Sequence, residues 1–166
     1  MLSFRDAAAE DAKLISYINA TSWRETYRGI LPDDFLRRLP NDYCVPSVRT
    51  WLASGQLYGV IALEDNRPVG CCIYGHSRDT QRSNWGEIVS LYVLPDCMRR
   101  GVGGALLRRA LQLLQEDGYS SCYLWAIEGN RIADAFYRKH GFTPTAERFA
   151  YRIGGEDVAD IRYIRA

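Results

Sequence analysis

Residues 87–107 have the sequence EIVSLYVLPDCMRRGVGGALL. The first positions are rich in β-branched, aromatic and aliphatic residues, which predicts a strand that ends at Val93, before Pro95. A cluster of arginine and glycine follows in residues 99–104. Apolar residues then recur at helical spacing from Val102 onward. The stretch therefore predicts a strand, a glycine-rich turn and a helix, in that order.

A glycine-rich turn at the start of a helix favours a bound phosphate group. The first N–H groups of a helix have no partner inside the helix, and the helix dipole favours an anion there. Gly101, Gly103 and Gly104 carry no side chain that would keep a pyrophosphate away from the backbone. Arg99 and Arg100 add charged donors beside it. We call residues 99–105 the cradle.

Two other phosphate-binding motifs fit this turn less well. A P-loop has Lys followed by Ser or Thr after its last glycine, where this chain has Ala105 and Leu106. The dinucleotide fingerprint begins directly after its strand and has a glycine where Leu106 stands. Glu128 ends the next predicted strand, roughly where an acidic ribose ligand would stand. A nucleotide-dependent oxidoreductase therefore stays open as an alternative.

The whole chain, residues 1–166, predicts one α/β domain. Its length is typical of a single domain, and its 47% hydrophobic and 25% charged residues are ordinary for a soluble globular protein. The predicted strands are residues 2–5, 57–63, 69–74, 87–93, 122–127, 142–153 and 158–165. The predicted helices are residues 6–27, a short one opening at 33–36, and residues 47–53, 102–117 and 130–140. This order predicts a mixed sheet of about seven strands with helices on both faces.

Charge and cysteine content narrow the classes of function. The net charge of +1 argues against a protein that binds nucleic acid through bulk electrostatics. The five cysteines form no CxxC pair, which argues against a disulfide framework and a metal site. There is no signal-peptide pattern, and no stretch approaches the roughly 20 apolar residues that span a bilayer. We therefore expect a cytoplasmic protein with no metal, no nucleic acid and no membrane partner.

In two segments the sequence resembles the GNAT superfamily of N-acetyltransferases. Residues 87–107 look like motif A of that family, and residues 130–142, NRIADAFYRKHGF, look like its motif B. With the strand order, the resemblance covers nearly the whole chain and implies a single-domain GNAT fold with a mostly antiparallel sheet. It departs at Met98, where the family usually has glutamine or arginine.

The resemblance implies that acetyl-CoA is the donor and that an amine acceptor attacks it directly. A bulge would separate residues 87–93 from residues 122–127 and open a cleft between the two strands. The Val93 N–H would donate a hydrogen bond to the oxyanion that forms during acyl transfer. Implied cofactor-binding residues are Leu91, Tyr92 and Val93 along the pantetheine arm, Arg99, Arg100, Gly101, Val102, Gly103, Gly104 and Ala105 around the pyrophosphate, and Asn130 and Tyr137 beside the thioester.

Tyr137 and Glu87 are the candidate catalytic residues. A phenol with a pKa near 10 can protonate a thiolate whose pKa is about 8.5, so Tyr137 is the candidate general acid. The alternative for Tyr137 is packing within its helix. Glu87 opens the strand that leads to the cofactor, as the base does in many members of the family, and a salt bridge is its equal alternative. An acyl-cysteine at Cys97 or Cys122 is a less favoured route.

The acceptor is an unidentified amine. Trp23, Glu25 and Tyr27 match a segment that walls the acceptor pocket in some GNAT members, where Glu25 could bind an ammonium group. Trp23 and Tyr27 share a helix face and could equally be core. A non-catalytic acyl-CoA-binding or sensing module on the same fold is the alternative to an enzyme.

The resemblance also allows a homodimer through the C-terminal strands. The residues that could supply such an interface, or could instead be core, are Phe149, Tyr151, Ile161 and Tyr163.

Overall fold

A seven-stranded sheet runs through the computed structural model, which describes residues 1–166. The strands are β1 (Leu2–Asp6), β2 (Tyr58–Glu64), β3 (Arg67–His76), β4 (Gly86–Val93), β5 (Cys122–Ile127), β6 (Thr143–Ile153) and β7 (Glu156–Arg165). The helices are α1 (Ala12–Thr26), α2 (Asp33–Arg38), α3 (Val45–Ser54), α4 (Val102–Glu116) and α5 (Arg131–Lys139). The strand order β1-β2-β3-β4-β5-β7-β6 confirms the predicted mixed sheet.

The sheet is antiparallel except at its centre, where β4 and β5 run parallel. Parallel neighbours need a crossover, and α4 supplies it. The two strands pair only from Gly86 to Ile88 of β4, and beyond Ile88 they separate. Just after this point β4 bulges, because Ile88 pairs with Tyr74 and Ser90 with Ile73, which leaves Val89 without a partner on β3. The bulge and the separation agree with the expected opening between these strands.

The helices cover both faces of the sheet. On one face α4 packs against β2, β3 and β4 through its apolar row. That row ends with Leu114, which is 2% exposed, because helical spacing carries the row from Ala110 to Leu114. On the other face α1 and α3 bury Ile15, Ile18 and other aliphatic side chains. Burial on both faces suits the nearly continuous apolar runs of β2 and β3.

The first helix begins later than predicted. β1 continues to Asp6, and a 3-10 turn at Ala9–Asp11 precedes α1. The Asp11 carboxylate pairs with Arg5 and accepts the Ala8 N–H, with distances of 2.8 Å in both cases. These bonds stabilise a 3-10 turn in a segment for which the apolar pattern predicted an α-helix.

The residues considered for a dimer interface are divided between core and surface. Tyr163 is buried and Ile161 packs against the same core, whereas Phe149 on the edge strand β6 exposes 62% of its surface. The homodimer stays a prediction. None of the helices combines the length and the apolar composition needed to cross a lipid bilayer.

Candidate functional site

The open edge of β4 presents backbone donors to the gap between β4 and β5. The Leu94 N–H donates to the Val69 carbonyl at 2.8 Å and therefore faces β3. N–H directions alternate along a strand, so the Tyr92 N–H also faces β3. The N–H groups of Leu91 and Val93 face the opposite edge, where β5 no longer pairs. The gap therefore offers hydrogen bonds to an extended ligand that lies beside β4.

The cradle supplies a second set of free donors at the start of α4. The N–H groups from Arg99 to Gly104 donate to no group in the protein. Arg99 and Gly101 have left-handed backbones, with φ of 60° and 85°, and turns of this kind aim successive N–H groups into an anion-binding concavity. The Ala105 N–H, expected in this set, donates to the Gly101 carbonyl at 3.0 Å and is not free. The remaining donors fit a diphosphate.

The two cradle arginines differ in their partners. The Arg100 guanidinium pairs with Glu64 of β2 at 2.7 Å. Arg99 is exposed and forms no ion pair with the protein. Met98 packs against the core on the α4 face and offers no donor in place of the family's usual residue. Arg99 is therefore the arginine that is free to contact a phosphate.

Helix α5 lies beside the start of α4. A Cβ atom on Gly103 would lie 3.7 Å from the Phe136 ring. The Asn130 side chain accepts the Ala133 N–H at 3.1 Å and so caps α5, with its amide nitrogen left over. The two segments that resemble motifs A and B are therefore in direct contact.

Tyr137 on α5 packs on one side and is open on the other. Its ring lies 5.9 Å from the rings of Phe142 and Tyr163, measured between centroids. Its hydroxyl makes no hydrogen bond within the protein and is not sealed from solvent. Burial raises the pKa of Tyr137 well above its ordinary value, and the neighbouring Tyr27 adds to the rise. Tyr137 therefore keeps its proton at neutral pH.

Glu87 forms the salt bridge that was the alternative to a role as base. Its carboxylate is 3% exposed and binds the Arg78 guanidinium at 2.8 Å and 3.0 Å. It also accepts the Arg78 N–H at 3.2 Å. Both oxygens are thus occupied, and Glu87 can accept a proton only if Arg78 releases one of them.

Aromatic side chains wall the face of the cleft next to α1. The Tyr27 and Tyr92 hydroxyls lie 3.1 Å apart, and the Trp23 ring lies 5.1 Å from the Tyr27 ring and 6.4 Å from the Tyr92 ring. Two of the predicted acceptor residues are therefore brought to β4. Glu25 is not among them, because it is exposed and pairs with Arg28 at 2.8 Å. The sequence indicated Tyr92 for its backbone only.

Sequence reasoning also missed Asp160 on β7. The Tyr151 hydroxyl donates to its carboxylate at 2.9 Å, and burial raises the pKa of Asp160. A carboxylate between the apolar residues Ala159 and Ile161 was the signal that could have found it.

The other candidate chemistries have less support in the structure. Burial raises the pKa of Cys122 to about 12 and also raises that of Cys97, so neither thiol forms a thiolate readily. Glu128 pairs with Arg148 at 2.6 Å, and the mostly antiparallel sheet differs from a dinucleotide-binding fold. No group of His, Cys, Asp and Glu side chains in the structure could hold a metal ion.

Comparisons with known proteins agree with this arrangement. Residues 19–142 match the model of the acetyltransferase (GNAT) family. The chain is 33% identical over 132 residues to the uncharacterized N-acetyltransferase YuaI of Bacillus subtilis, covering 78% of this chain and 74% of YuaI. It is 32% identical over 116 residues to an uncharacterized N-acetyltransferase of Archaeoglobus fulgidus, covering 68% of this chain and 76% of that protein.

A solved structure shares the fold. It is the PaiA N-acetyltransferase of Thermoplasma acidophilum in complex with coenzyme A, with a TM-score of 0.77, 19% identity, and coverage of 99% of this chain and 98% of that chain. The family match, the free donors along β4 and the cradle lead to one conclusion. The chain belongs to the acetyltransferase (GNAT) family, and it is an acetyl-CoA-dependent N-acetyltransferase.

Proposed function

We propose that the protein acetylates a primary amine by direct attack of the amine while acetyl-CoA is also bound. The observation that carries this proposal is the presence of two sets of free N–H donors, those of Leu91 and Val93 at the open edge of β4 and those from Arg99 to Gly104 in the cradle. Holding both reactants in one cleft supplies much of the acceleration of such a reaction. The buried Cys97 and Cys122, with raised pKa values, support a route without an acyl-cysteine.

Initial rates test the order of events. A thiol-detecting dye would follow CoA release while acetyl-CoA and a panel of primary amines are varied together. Attack in a ternary complex gives intersecting lines in double-reciprocal plots, whereas an acyl-enzyme gives parallel lines. A third result, CoA binding with no thiol release for any amine, would favour the non-catalytic module.

The backbone of the cleft has two roles in this proposal. The cradle N–H groups hold the pyrophosphate. The pantetheine arm hydrogen-bonds to the open edge of β4 in the way that an added strand would. Bound acetyl-CoA supplies an activated acyl group on a sulfur leaving group. The Val93 N–H, which faces the gap, is placed to donate to the carbonyl oxygen as negative charge develops on it.

Tyr137 is the proposed general acid. Its hydroxyl is free of protein partners, and a phenol carries its proton at neutral pH. Asn130, which stands at the start of the same helix, has an amide nitrogen free for the thioester end. The phenol would deliver its proton to the departing sulfur and regain one from solvent.

A substitution at Glu87 distinguishes the two roles that the sequence allowed equally, a general base and a salt-bridge partner. Because Arg78 holds both oxygens, we expect Glu87→Gln to lower the free energy of unfolding by about 1–2 kcal/mol through loss of charge-assisted hydrogen bonds. We expect kcat to fall by less than about tenfold. Thermal unfolding and the pH profile of kcat/KM are the measurements. A loss of about 100-fold or more, with loss of the acidic limb of the profile, would instead establish Glu87 as the base.

The two cradle arginines form a matched pair for testing the pyrophosphate contact. Arg99→Ala should weaken CoA binding about 5- to 10-fold, because it removes a free charged donor beside the cradle. Arg100→Ala should weaken binding by less than about twofold, because Arg100 is already paired with Glu64. Calorimetric titration with CoA measures both. Equal losses for the two variants would contradict the different roles assigned to them.

A further inference from the structure

The face of the sheet next to α1 carries a carboxylate that faces the acceptor side of the cleft. Asp160 lies opposite Ile127 of β5 and Phe149 of β6. Directly opposed residues of antiparallel strands share a face of the sheet. Ile127 packs in one cluster with Trp23 and Tyr27. Asp160 therefore lies on the side of the sheet that the aromatic wall covers.

Asp160 is only partly exposed but has no cationic partner. Three other carboxylates near this face form ion pairs, Glu87 with Arg78 at 2.8 Å, Asp79 with Arg162 at 2.8 Å and Glu147 with Arg82 at 2.9 Å. The Asp160 carboxylate accepts one hydrogen bond, from the Tyr151 hydroxyl to Oδ1 at 2.9 Å. Its Oδ2 accepts none from the protein and is not sealed from solvent. A half-buried, uncompensated charge is costly, and a ligand cation would relieve that cost.

Aromatic rings connect Asp160 to the reaction site. The Tyr27 hydroxyl meets that of Tyr92 at 3.1 Å, and Tyr92 immediately precedes Val93. Tyr27 packs in the same cluster as Ile127, which lies directly opposite Asp160. Burial raises the pKa of Tyr27, and the Asp160 charge adds to that rise. Aromatic faces and hydroxyl oxygens both attract cations, and both are supplied by Tyr27, Tyr92 and Tyr151. The surroundings of Asp160 thus suit a positively charged group near the open edge of β4.

The reacting nitrogen is a poor occupant for this site. An amine must be neutral to attack a thioester, whereas a nearby carboxylate favours the protonated form. A charged group elsewhere on the acceptor carries no such conflict.

We propose that Asp160, held by Tyr151, anchors a second ammonium group of the acceptor, which is therefore a small diamine or polyamine. This inference rests on the proposed N-acetyl transfer and adds the class of substrate to it. Asp160 determines specificity and takes no part in proton transfer.

Two amines of equal length test the anchor. For the wild-type protein, kcat/KM should be about 10- to 100-fold higher for 1,4-diaminobutane than for 1-aminobutane, the range expected for a hydrogen-bonded charge pair. Asp160→Asn should raise KM for 1,4-diaminobutane about tenfold or more, with kcat within about threefold and 1-aminobutane unaffected. Asp160→Glu should recover part of the loss, and Tyr151→Phe should raise KM for the diamine less than Asp160→Asn does.

Asp157→Asn is the matched control, because Asp157 lies on the same strand but is 83% exposed and pairs with Arg152. It should behave as wild type. Equal wild-type activity toward both amines, or a fall in kcat with unchanged KM in Asp160→Asn, would overturn the anchor.

Binding separates this proposal from the proposed reaction. Calorimetric titration of the CoA-bound protein with 1,4-diaminobutane should give heat for wild type and little for Asp160→Asn. Binding without thiol release would contradict acetyl transfer to this amine but support the anchor. Thiol release with any monoamine, together with no binding of the diamine, would support the reaction and overturn the anchor.

Discussion

Replacing Tyr137 with phenylalanine should lower kcat about 100-fold and leave the affinity for CoA within about threefold of wild type. The ring still packs against Phe142 and Tyr163 in the variant, so the cleft keeps its shape. Only the hydroxyl is lost, and it makes no bond within the protein. The proton for the departing sulfur must then come from water, which is a less well-placed acid. Steady-state rates and calorimetric titration with CoA measure the two quantities.

Tyr163→Phe is the control for the loss of a phenol in this region. The Tyr163 ring also contacts Tyr137, but its hydroxyl donates to Asp134 at 2.7 Å, away from the reaction. Its kcat should stay close to that of wild type. A similar loss in both variants would mean that packing, rather than proton donation, explains the effect of Tyr137→Phe.

The pH dependence of kcat gives a separate test of the acid. A raised pKa means that the Tyr137 proton is lost only above the usual range of a phenol, so the acid form persists up to at least about pH 10. No alkaline decline in kcat below that pH should therefore belong to Tyr137. An alkaline limb at lower pH that disappears in Tyr137→Phe would contradict the assignment.

Gly101→Val should weaken CoA binding about 10- to 100-fold, whereas Gly101→Asn should weaken it by less than about fivefold. Gly101 has φ of 85°, a conformation that is strained for a β-branched residue and tolerated by asparagine. A Cβ atom at this position would meet no other atom within 4 Å, so crowding explains neither result. Relaxation of the strained turn would move the free N–H groups away from the phosphates.

Circular dichroism and calorimetric titration with CoA measure the fold and the affinity of both variants. Each variant should keep the helix content of wild type, since the added side chain lies in open space. If Val and Asn weakened CoA binding equally, the left-handed backbone at Gly101 would have no special role in the cradle.

The order of strands and helices could be predicted because it rests on local pattern. Apolar repeats and turn residues located all seven strands and five helices, and the bounds agree within a few residues except at the start of α1. The main error at the start of α1 arose from the Arg5–Asp11 ion pair, which joins residues outside any regular repeat. The cradle was predictable for the same local reason, because strand, turn and helix are consecutive in the chain.

The α1 side of the cleft was poorly predictable because its residues come from distant parts of the chain. The sequence suggested Glu25 as the anion for an amine, but Glu25 faces solvent, whereas Asp160 lies on the face of the sheet next to the aromatic wall without an ion-pair partner. The ion pair of Glu87 could not be predicted from the sequence either. Its partner Arg78 lies on the loop between β3 and β4, and only the folded loop brings its guanidinium onto the carboxylate.

The sequence by itself determined the strand, the cradle and the helix, since the left-handed turn at Gly101 and the unpaired helix N–H groups are consequences of local backbone geometry. Only the tertiary structure decided which side chains remain available for chemistry. Ion pairs with residues that the fold brings alongside occupy Glu87 and Arg100, whereas Tyr137 and Asp160 remain open. The physical reason is that the charge and hydrogen-bond partners of a side chain depend on neighbours in space, which sequence separation does not specify.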